Sequence, residues 1–111
     1  DLYLVCLADP PAGKSTSQRQ LVPGTTQGSR HVAVGDCRII VPNDRAQFAA
    51  TVSQAVKGAE VPAELTGPAI VCRGDVTIEH PEHGHRTLPA GSVWGGVYQR
   101  QYAEEVQRVL D

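Results

Sequence analysis

Apolar positions along the chain fall into short runs separated by turn-forming residues, with helical spacing in one internal segment and again at the C-terminal end. Leu2-Tyr3-Leu4-Val5-Cys6-Leu7 reads as a strand. Asp9-Pro10-Pro11 ends it, because proline fixes φ and offers no amide donor. Residues 12–29 are dominated by Gly, Ser, Thr, Gln and Pro and are expected to form a long polar loop. His31–Pro42 (HVAVGDCRIIVP) and Ile70–Pro81 (IVCRGDVTIEHP) then align without a gap. Gly35 and Gly74, Asp36 and Asp75, Ile39 and Ile78, and Pro42 and Pro81 fall in register. Glycine supplies a positive φ and aspartate accepts local backbone bonds, so each Gly-Asp is expected to turn a hairpin. Two similar hairpins would result, packed face to face or edge to edge.

The segment between them predicts a helix over 43–58. Asn43 or Asp44 can cap it, Phe48, Val52 and Val56 recur at four-residue spacing, and Gly58 stops it. Leu88-Pro89-Ala90-Gly91 reads as a turn, and the following stretch as a strand carrying Trp94 and Tyr98 on one face. Gly95-Gly96 in that strand predicts a bulge or a close backbone approach. Residues 101–111 predict a C-terminal helix, with Tyr102, Val106, Val109 and Leu110 on one side. The chain thus reads as one mainly β (α+β) domain over 1–111. The expected form is a small antiparallel β-barrel or sandwich built from hairpins, with one mid-chain helix and a C-terminal helix.

Composition narrows the function classes. Ten basic residues stand against twelve acidic ones, a net charge of -2, with no basic segment of the kind that reads nucleic-acid phosphates. Eight of the ten are arginine, so a folded patch of Arg30, Arg38, Arg73 and Arg100 is the form nucleic-acid binding would take, as a second alternative. Cys6, Cys37 and Cys72 each sit in an apolar run without metal-site spacing and are expected to be buried thiols in a reducing cytoplasm. No run is long enough for a membrane span and no signal peptide opens the chain, which points to a cytoplasmic protein without a membrane partner. The absence of Met leads us to expect residues ahead of Asp1.

Ala8–Thr16 (ADPPAGKST) satisfies the loosest written form of a nucleotide-binding P-loop. Such a loop needs free amides around the phosphates and a helix directly behind them. Pro10 and Pro11 remove two of those amides, and the residues after Lys14 have no apolar period before Leu21-Val22-Pro23, so no nucleotide is expected here.

The stretch EHPEHGH groups His80, His83 and His85 with Glu79 and Glu82. Imidazole is a common ligand for Zn, Ni and Fe, so His80, His83 and His85 form a candidate site for a divalent transition metal, with Glu82 as fourth ligand or proton acceptor. The other reading is a polar loop whose histidines cap strands. His83 and His85, followed by Pro89-Ala90-Gly91, resemble a fragment of the cupin motif, which implies a metal-dependent enzyme as an alternative. The acidic residue that cupins carry shortly after the second histidine is missing, since Leu88-Pro89-Ala90 stand there. Arg73-Gly74-Asp75 spells an adhesion tripeptide but reads as turn chemistry.

The C-terminal third resembles a small family of bacterial and phage-borne proteins to which no activity is attached. The likeness rests on a Gly-Asp near a strand start, His80-Pro81-Glu82-His83, Leu88-Pro89 with Gly91, and Tyr98-Gln99-Arg100. It implies no chemistry, but directs attention to the histidine stretch and to Gln99 and Arg100. Without a complete catalytic set or a cofactor fingerprint, the chain is expected to be a protein-interaction or self-assembling accessory module. Trp94, Gln99 and Arg100 are its candidate contact residues, and a protein partner or a homo-oligomer is the expected assembly.

Overall fold

A computed structural model describes residues 2–21, 31–56, 60–80 and 84–98. In chain order they form β1 (Leu2–Leu7), β2 (Gly13–Thr16), β3 (Val32–Pro42), α1 (Arg45–Ala55), one turn of 3₁₀ helix (Ala63–Leu65), β4 (Thr66–His80), β5 (Gly84–Leu88) and β6 (Val93–Tyr98). Every pairing is antiparallel, and the strands make one sheet in the order β1-β6-β4-β3-β2, with β5 beside the far half of β4. The mainly β expectation holds. The barrel does not, because β1 and β2 stand at opposite ends of the sheet and do not pair with each other. The expected C-terminal helix lies outside the described residues.

The two Gly-Asp motifs do not turn hairpins. Each lies inside a long strand, and β3 and β4 pair with each other. Gly35 pairs with Val76 and Cys37 with Cys72, so Asp36 alone stands opposite Arg73, Gly74 and Asp75. That is a bulge, and the Gly-Asp chemistry supplies the positive φ (135°) it needs at Gly35. A side chain there would meet the Asp75 carbonyl oxygen at 2.6 Å. β5 and β6 both run antiparallel to β4 in one shared register, Val76 opposite Leu88 and Val71 opposite Val93. They act as a single partner strand interrupted at Pro89–Ser92, level with the bulge. The Asp75 carboxylate accepts the Ala90 amide at 3.1 Å and ties the two irregularities together.

The sheet buries a cluster on each face. One contains Cys37, Ile39, Ile70, Cys72, Val76, Ile78 and Leu88, with Leu21, Leu4 and Trp94 packed onto it. The other contains Leu7, Ile40, Ala69 and Val93 and is covered by Phe48 and Val52 of α1. The helix forms close to where capping and spacing place it: Asp44 is the N-cap and accepts the Gln47 amide at 3.0 Å. Gly95 is the predicted close approach. A Cβ there would lie 3.1 Å from the Phe48 ring and 3.2 Å from Val52, so the bare backbone is what admits the helix.

Residues 13–16, expected within the polar loop, are strand β2 instead, and Gln20 bridges to Val32 farther along the same edge. An edge strand pairs on one side and leaves the other in water, so a polar sequence is tolerated there.

Candidate functional site

The sheet leaves three open strand edges among the described residues, and they differ in chemistry. β2 (Gly-Lys-Ser-Thr) presents the exposed Lys14. β5 (Gly-His-Arg-Thr-Leu) presents exposed His85 and Arg86. Charge on an edge strand opposes pairing with another chain. β1 has none: Leu-Tyr-Leu-Val-Cys-Leu carries no charge, proline or glycine over six residues. One edge pairs with β6 and the other has no ladder among the described residues. Tyr3 is 51% exposed, and Cys6 is exposed rather than buried as its apolar run suggested.

Trp94 stands directly behind this edge, opposite Cys6. It is half-buried on the first cluster, and its indole N–H donates to Ser92 Oγ at 2.7 Å. It therefore backs β1 from the neighbouring strand while keeping part of its surface in solvent. Gln99 and Arg100 lie outside the described residues.

Of the metal candidates, His85 alone has its side chain among the described residues. His85 is exposed on β5 opposite Glu79. His80 ends β4, while Glu82, His83 and the His80 side chain lie outside what is described. Among the described residues no group of three His, Cys, Asp or Glu could hold an ion. Of the arginines considered for nucleic acid, Arg38 donates to Ser15 Oγ at 2.6 Å and Arg73 lies in the bulge, while Arg30 and Arg100 are outside the described residues.

The P-loop look-alike has a definite structure. Gly13, Lys14 and Ser15 are strand residues paired with Pro42, Val41 and Ile40, and the described residues directly after them, 16–21, form no helix. A cleft of about 390 Å³ opens beside the two prolines, floored by Leu7 and Phe48. Its charged lining residues are Asp9 and Asp44, which repel a phosphate.

A second grouping is made by the pairing of β3 with β4. Cys37 and Cys72 are direct cross-strand partners, both buried in the first cluster. An Arg19 guanidinium N–H donates to the Cys37 sulfur at 2.7 Å and another contact reaches the Cys37 carbonyl at 3.4 Å. Burial pushes the Cys72 thiol up, with Ser92 opposing and Cys37 adding to the rise. The available signal was positional. Cys37 follows one Gly-Asp and Cys72 precedes the other, which is where antiparallel pairing of the two repeats would bring them together.

No helix among the described residues is long and apolar enough to cross a membrane. No protein-family model, curated protein or solved structure matches the chain.

Proposed function

We propose that this chain is a β-sheet assembly module that joins a second copy of itself through β1. The observation carrying this reading is the contrast among the three open edges, of which β1 alone lacks the charges that oppose pairing. An edge strand offers a row of backbone donors and acceptors, and a partner strand satisfies them in the antiparallel geometry used throughout this sheet. A second β1 suits the role because two uncharged strands meet without like-charge repulsion, and two-fold pairing closes after one partner. The flanking Asp9-Pro10-Pro11 limits the pairing to the strand itself.

Sedimentation equilibrium tests this over a wide concentration range. The expected species is a reversible dimer of the 11.8 kDa chain. Tyr3→Lys with Cys6→Lys, both at exposed positions, should yield a folded monomer whose melting temperature no longer depends on protein concentration. A wild-type chain that stays monomeric at the highest concentration overturns the proposal, as does a dimer indifferent to both lysines.

A further inference from the structure

We propose that Cys37 and Cys72 form a redox-active cross-strand pair that closes to an intramolecular disulfide by exchange with a low-molecular-weight disulfide such as oxidised glutathione. The inference is independent of the β1 edge.

Backbone hydrogen bonding fixes the geometry. The Cys72 amide donates to the Ser92 carbonyl at 2.9 Å, and the Cys72 carbonyl accepts from the Gly91 amide at 2.8 Å. Both polar groups of Cys72 therefore point toward the β5–β6 side, away from β3. The Cys37 carbonyl likewise faces away from β4, toward Arg19. Cys37 and Cys72 are thus a non-hydrogen-bonded pair, the kind whose Cα atoms approach to about 4.5 Å with side chains leaning together. That spacing falls within the window of roughly 4.4–6.8 Å that a disulfide requires. Both side chains belong to the same buried cluster, so they project from one face. Arg19 sets a fixed positive charge against the sulfur that exchanges first.

In the first step the Cys37 sulfur, the less deeply buried of the two, attacks one sulfur of oxidised glutathione. The oxidant's S–S bond breaks, a mixed disulfide forms on Cys37, and one glutathione leaves. The Cys72 sulfur then attacks the Cys37 sulfur and displaces the second glutathione. The two thiol protons end on the two released glutathiones. The protein is oxidised by two electrons and one glutathione disulfide is reduced by two.

The test uses folded Cys6→Ser protein, which removes the exposed third thiol, incubated with oxidised glutathione and read by intact mass and tryptic mapping. The expected product is two hydrogens lighter, carries no glutathione, and joins the tryptic peptides 31–38 and 58–73. Its urea midpoint should lie above that of the reduced protein and return on adding a dithiol reductant. Cys72→Ser in the same background should instead retain one glutathione on Cys37. A folded protein that stays fully reduced, or that accumulates glutathione adducts without linking the two peptides, overturns the proposal. So does a linked product with a lower urea midpoint, since native geometry would then be strained by the bond.

Discussion

The two glycines of the repeated Gly-Asp motif look equivalent in sequence, yet the bulge makes them unequal, and alanine at each separates the two descriptions. At Gly35 the backbone holds φ at 135°, and an added Cβ would lie 2.6 Å from the Asp75 carbonyl oxygen and 3.1 Å from the Val76 Cα. Neither neighbour is a flexible side chain, so β3 and β4 must move apart. Backbone strain of this kind costs about 1–3 kcal/mol. Overpacking against fixed backbone adds about 1–3 kcal/mol, while the stiffer unfolded chain returns roughly 0.4–1 kcal/mol. The expected net loss for Gly35→Ala is about 1–5 kcal/mol, a fall of roughly 4–20 °C in melting temperature for a chain of this size. At Gly74 the nearest atom to a new Cβ is the Asp36 Cβ at 3.4 Å, an ordinary contact, and φ is not in the left-handed region. Gly74→Ala should stay within about 0.5 kcal/mol of wild type. Urea unfolding followed through the single tryptophan, Trp94, reads both variants. Equal costs at the two glycines would refute the bulge and restore a pair of similar hairpins.

Further outcomes follow from the packing and the ionisable groups. Phe48→Ala removes the ring that seats α1 over Gly95 and should cost about 3–5 kcal/mol in the same urea assay. Asp44→Ala deletes the helix cap and should cost about 1 kcal/mol, whereas Asp44→Ser should be close to neutral. Burial pushes the Tyr98 hydroxyl above its ordinary 10.0, against a smaller pull from Arg45. The folded state then keeps this proton longer than the unfolded chain, so stability is intact below pH 10 and falls as pH rises toward the folded value. Tyr98→Phe should flatten that alkaline loss in thermal melts taken across the pH range. At neutral pH it should cost only about 1 kcal/mol for the hydrogen bond to the Leu21 carbonyl.

The helix was legible because its signals are local: a capping carboxylate, apolar residues one turn apart and a stop soon after. Gly95 was legible as a close approach for the same reason, since a glycine inside a strand has few other uses. The Gly-Asp motifs misled because a two-residue turn and a bulge ask for the same positive φ and the same local acceptor. What distinguishes them is whether the flanking runs pair with each other or with a distant partner, and that is decided by tertiary contact. The same limit hid β2, whose polar residues lack alternation because neither of its faces is buried and which becomes a strand only by pairing with β3. It also hid the thiol pair, which exists only once β3 lies against β4. Closure into a barrel depends on the two terminal strands meeting, and nothing in the composition of β1 or β2 encodes that.

Assembly through β1 is tested most directly by amide hydrogen exchange of the edge strands at low and high protein concentration. On concentration, the amides of β1 that do not bond to β6 should slow markedly, while those on the open sides of β2 and β5 keep their rates. Exchange in β1 that is fast and unchanged at every concentration would contradict the assignment.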